Sequence, residues 1–98
     1  MPILHGNFSA KSVTESVVLV VGGSWTALPT TAMDGRALIE VHNKGENKMY
    51  FSYSSTATLK QRWAIGTGSF KTFPIQDNVT LFGRTAGGSS SAIITEYK

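Results

Sequence analysis

Histidine and carboxylate side chains are the groups in this chain best suited to chemistry, because it contains no cysteine. His42 stands two residues from Glu40, so one strand would carry both on the same face. A His/Glu pair of that kind supplies two metal ligands, and a site needs at least one more. No thiolate exists, and the other histidine, His5, lies far off in the chain. A solvated polar strand face is the expected reading, with no metal. The six acidic residues, Glu15, Asp34, Glu40, Glu46, Asp77 and Glu96, are spread singly. Asp34, Glu46 and Asp77 sit in turn-like sequences, where short or charged side chains belong anyway. No motif pairs two of them for general acid–base work, and no G-x-S-x-G marks a nucleophile. Gly66-Thr67-Gly68 is a lone G-x-G without a following helix to hold a phosphate, so it reads as a turn. Asn7-Phe8-Ser9 and Asn78-Val79-Thr80 match the glycosylation sequon, which matters only behind a secretory signal. The expectation is a non-enzyme with no catalytic, cofactor-binding or metal-binding residue.

Composition narrows the classes further. A length of 98 residues suits one domain, because two would each be too small for a core. Hydrophobic residues make up 41%, close to ordinary, whereas charged residues at 15% fall well below the usual quarter. A weakly charged surface suits a protein that partners will cover, and fits equally a Ser- and Thr-rich β protein. The net charge of +3 is scattered, with no basic cluster of the kind a specific nucleic-acid binder presents. A small secreted scaffold normally has disulfides or a metal, so a cysteine-free chain points to assembly in a cytoplasm. The first residues lack the basic and apolar regions of a signal peptide. The longest apolar run, residues 17–21, is far short of the roughly 20 residues of a membrane span. No membrane partner is expected.

The elements that would position these groups are strands. Residues 36–53 alternate on both sides of a short polar loop, with Ile39, Val41, Met49 and Phe51 apolar, which predicts a β-hairpin. Gly45 would give its turn the φ > 0 residue such turns favour. Residues 15–21 are β-branched and apolar on both faces, as in a strand covered on both sides. Pro29 makes the segment after Trp25 a strand end or an edge, and Asp34-Gly35 is a turn signal. Residues 54–62 read as a loop or a short helical turn around Leu59, and Trp63 and Ile65 restart alternation. Residues 70–75 form a strand that Pro74 ends, residues 76–78 a turn, and residues 79–84 another strand. Residues 87–91 read as a flexible loop before a closing strand at 92–97. The sum is an all-β domain, a single compact sandwich or barrel of 6–7 short antiparallel strands over residues 15–98. An extended N-terminal arm, residues 1–14, precedes it. Ile3, Leu4 and Phe8 make that arm apolar, so it lies either on its own domain or against something else.

Most aromatics fall at core positions of these strands. Tyr50, Phe82 and Tyr97 have the opposite parity, together with Leu38, Ile93, Arg36 and Arg84, and form a second buried face or an interface. Two stretches carry a likeness. The first runs Trp25-Thr26-Ala27-Leu28-Pro29-Thr30-Thr31, then Gly35-Arg36, Leu38, Val41, Asn43, Gly45 and Tyr50. The second is Asp77-Asn78-Val79-Thr80-Leu81-Phe82-Gly83 with the closing strand to Tyr97. Together they resemble small β-structured virion proteins of tailed bacteriophages, over about half of the chain. Residues 54–73 and the arm carry no such likeness. The resemblance implies a non-enzymatic structural protein, first of all a capsid decoration (cement) protein. It would be made in the host cytoplasm, self-associate, and bind the major capsid protein on the shell exterior. Ile3, Leu4, His5 and Phe8 of the arm, and Arg36, Tyr50, Phe82 and Arg84 of the outward set, are the candidate contacts. A tail, baseplate or head–tail connector component is the alternative of the same kind. A carbohydrate- or nucleic-acid-binding β module is the alternative of another kind.

Overall fold

A computed structural model of the protein describes residues 13–57 and 64–98. The described chain contains eight strands and no helix: β1 (Val13–Val21), β2 (Thr26–Ala27), β3 (Leu38–Asn43), β4 (Met49–Ser52), β5 (Ala64–Ile65), β6 (Phe70–Pro74), β7 (Phe82–Thr85) and β8 (Ser89–Tyr97). They form two four-stranded antiparallel sheets. Sheet A has the order β1-β8-β3-β6 and sheet B the order β2-β7-β4-β5. The pairings β1·β8, β2·β7, β3·β6 and β4·β5 are those of one long hairpin whose tip lies between β4 and β5. Further pairings, β3·β8 and β4·β7, roll that hairpin into two sheets. This is the strand order of a jelly roll. The all-β fold expected from the sequence is present; of the sandwich and barrel left open there it is the sandwich, with eight strands among the described residues where 6–7 were expected.

The two sheets bury one face each against the other. Val20, Ile39, Val41, Phe73, Ala92 and Ile94 come from sheet A, and Met49, Phe51 and Ile65 from sheet B. Leu28, Ile75 and Leu81 seal the core from positions flanking strands. The Phe51 and Phe73 rings meet edge to face across the sandwich, with centroids 5.2 Å apart, a favoured geometry for paired aromatics. Alternation along β3 and β8 is regular, each inward residue buried and each outward one partly exposed (apart from exposed Ser89 at the start of β8).

Several local expectations need correction. Residues 36–53 do not form a hairpin: β3 belongs to sheet A and β4 to sheet B, so residues 44–48 arch from one sheet to the other. Both connections show the same local alternation. What selects the arch is the set of distant partners, Ile94 for Val41 and Thr85 for Met49. Gly45 is accordingly not among the glycines with positive φ. Its hydrogen is required for space, since a Cβ there would lie 2.6 Å from Ser90 Cα. β1 is not covered on both sides among the described residues: Val17 is 70% and Leu19 58% exposed. The strand expected at 79–84 is displaced to β7, and residues 89–91, expected in a loop, begin β8. β1 also begins at Val13, inside the segment assigned to the arm. The turns at Asp34-Gly35, 66–69 and 76–78 and the end of β6 at Pro74 stand as expected.

Asn43 closes the arch from within. It is fully buried at the end of β3, at the inward parity of Ile39 and Val41. Its amide nitrogen donates to Asn47 O at 2.8 Å, while its Oδ1 accepts from Gly45 N at 3.1 Å and from Ser90 Oγ at 2.6 Å. A buried amide is tolerated because its hydrogen-bonding groups are satisfied.

Candidate interaction surfaces

The outer face of sheet B brings together three of the four outward residues singled out in the sequence. Tyr50 and Arg84 are directly opposite in β4 and β7, and Phe82 lies one pleat away, between Ala27 and Ser52. Two more side chains join them. Trp25 precedes β2, and its indole Nε1 donates to Ala57 O at 2.8 Å, which fixes the ring. The Arg84 guanidinium lies 5.8 Å from the Trp25 ring centre, and its Nε donates to Gly22 O at 3.1 Å. Lys48 Nζ lies 5.7 Å from the Tyr50 ring centre. Each cation thus rests on an aromatic ring, at distances where the ring quadrupole attracts it. β2, β4, β5 and β7 contain no Asp or Glu. This face is therefore cationic and aromatic, suited to planar or acidic groups of a partner.

The outer face of sheet A is different. Cross-strand register lines up Val17, Ile93, His42 and Phe70 in one row, and Val13, Tyr97, Leu38 and Pro74 in another. Between them lie Glu15, Thr95, Glu40 and Thr72. His42 packs edge to face on Phe70 with ring centroids 5.1 Å apart. Burial pushes the Tyr97 phenol above its usual value, and the charges of Glu40 and Glu15 push it further. Leu38, Ile93 and Tyr97, grouped in the sequence with Tyr50 and Phe82, lie here and not with them. Strand parity alone does not reveal which of two sheets a residue faces away from. Among the described residues, no three His, Asp or Glu side chains come together as a metal site.

Arg36 is not on a surface. It is 3% exposed, and its Nη1 donates to Glu96 Oε2 at 2.9 Å in an ion pair whose side chains are both 1% exposed. Nη2 donates to Val79 O at 2.6 Å and Nε to Gln76 O at 3.2 Å. The second partner of Glu96 is the Met33 amide, which donates at 2.8 Å. Gly35, at φ 76°, donates its amide to Asp77 Oδ2 at 2.7 Å. Arg36 therefore ties the segment before β3 to β8 and to the turn before β7. Its expected role as an outward contact falls, because extending the parity of β3 backwards fails where the chain turns at Asp34-Gly35. The other candidates, Ile3, Leu4, His5 and Phe8, lie outside the described residues.

Fold and surfaces together define, among the described residues, a β sandwich of eight strands with two chemically unlike outer faces. Neither a family model nor a curated protein matches the chain.

Proposed function

We propose that the protein is a non-enzymatic structural component of a tailed-bacteriophage virion, a decoration protein that binds the capsid exterior. The observation that carries this reading is the outer face of sheet B, where Trp25, Lys48, Tyr50, Phe82 and Arg84 assemble without a carboxylate on that sheet. Aromatic residues and Arg are the types enriched at the centres of protein interfaces. The jelly-roll order, found among viral capsid domains, is compatible with the reading by analogy of fold alone. The sequence likeness to phage virion proteins supplies the rest. The face would dock on neighbouring subunits of the major capsid protein at sites created as the shell matures. Many identical weak contacts would then hold the shell against the pressure of its DNA through multivalency.

The same face favours one other reading. Aromatic rings flanked by cations also bind sugars or single-stranded nucleic acid, and lectin domains share the strand order. Binding of purified protein to matured, DNA-filled shells separates the two. The decoration reading expects saturable binding that Lys48→Glu with Arg84→Gln abolishes while the variant still melts cooperatively. It also expects loss of binding when residues 1–8 are deleted. No binding to shells, with glycan or oligonucleotide binding by the isolated protein, would overturn it.

A further inference from the structure

We propose that the protein is a two-fold dimer formed by antiparallel pairing of β1 with β1 of a second copy. The inference does not depend on the virion reading. It begins with the four strands that edge the two sheets, which are unlike. β2 and β5 are two residues long, and β6 is five residues long, carries Lys71 and ends in Pro74. Short length, lysine and proline are the usual means by which a sheet edge is kept from pairing. β1 has none of them. It runs for nine residues without Pro or Lys, is hydrogen-bonded to β8 along its whole length, and has no strand beyond it among the described residues. An edge strand of this length leaves a row of amide and carbonyl groups pointing away from its sheet, the chemistry that recognises another strand. Val13, Val17 and Leu19 beside it are 54%, 70% and 58% exposed.

The sequence of β1 fits its own copy. Antiparallel pairing about a dyad sets residues of like parity opposite each other. Of the possible registers, only the one with Val17 on the dyad pairs all nine residues. It sets Val13 opposite Val21 and the single charge, Glu15, opposite Leu19. Placing Glu15 on the dyad would set two carboxylates face to face, which is destabilising. In the full register the row Phe70, His42, Ile93 and Val17 continues into the same row of the second copy, across an eight-stranded sheet. Such a contact is isologous and closed, so both β1 edges are consumed and no fibre propagates.

The test uses the full chain, whose lack of cysteine gives a clean background. Light scattering coupled to size exclusion should give twice the chain mass of 10.5 kDa. Val17→Lys, at a largely exposed position, should give the single-chain mass with an unchanged circular-dichroism spectrum. Under mild oxidation Val17→Cys should form a disulfide-linked dimer, since directly opposed residues approach to about 4.5 Å Cβ to Cβ, within reach of a disulfide. Leu19→Cys, opposite Glu15 of the other copy, should not. A wild-type monomer at all concentrations up to about 100 μM, well above a Kd in the micromolar range, would overturn the proposal. A dimer that survives Val17→Lys, or that links through Leu19→Cys instead, would overturn the interface or its register.

Discussion

Arg36 looks exposed in the sequence and is among the most enclosed charges in the fold, so its removal is a sharp perturbation. In Arg36→Met the Glu96 carboxylate, 1% exposed, is left with the Met33 amide as its partner among the described residues. Val79 O loses its Arg36 donor as well, and Gln76 O is left with the bond from Val79 N at 3.3 Å. Removing one member of a buried ion pair costs about 3–5 kcal/mol, because the other charge stays desolvated and uncompensated. Whole domains are stable by only about 5–15 kcal/mol. At the 4–8 °C per kcal/mol typical of domains this size, the melting temperature should fall by roughly 20 °C. The assay is thermal and urea unfolding followed by circular dichroism. Arg36→Lys should not restore stability, since one ammonium on a flexible stem does not reproduce a planar fork reaching three acceptors. The double variant Arg36→Met with Glu96→Leu should recover much of the loss, because no lone buried charge remains. A single variant within about 1 kcal/mol of wild type, the value of an exposed pair, would refute the reasoning.

Two further perturbations probe the arch and the face of sheet A. Gly45→Ala forces a Cβ against the backbone of Ser90 and should destabilise by roughly 1–3 kcal/mol. Gly23→Ala, whose added Cβ would meet nothing within 4 Å, should be close to neutral in the same melts. The folded protein holds the Tyr97 proton more tightly than the unfolded chain, through burial first and then Glu40 and Glu15. Its stabilising effect is thus complete below the ordinary value of 10.0 and is lost as pH rises from there through the raised folded value. Tyr97→Phe should flatten that alkaline loss in melts taken between about pH 9 and 11, and an unchanged slope would show that Tyr97 is not its source.

Much of the fold is legible because β3 and β8 alternate cleanly and their turns carry the expected residues. Ile39, Val41, Met49 and Phe51 are core residues as their period-2 spacing demands. The arch was not legible, because hairpin and arch share local alternation and differ only in partners distant in sequence, Ile94 for Val41 and Thr85 for Met49. One signal of these interior contacts does stand in the sequence: Asn43, Ser90 and Glu96 interrupt inward, otherwise apolar parity, and all three are buried polar groups with specific partners. Polar residues at core parity marked the interior networks. The face of sheet B was half legible. Tyr50, Phe82 and Arg84 showed by parity, but Trp25 and Lys48 precede their strands, where alternation says nothing.

The decoration reading stands or falls most directly on a census of purified virions by quantitative mass spectrometry, with the major capsid protein as internal standard. The account predicts copies in the hundreds per particle, in a fixed ratio to the shell subunits. A dozen copies or fewer would move the protein to a tail or connector, and its absence from the particle would contradict the account.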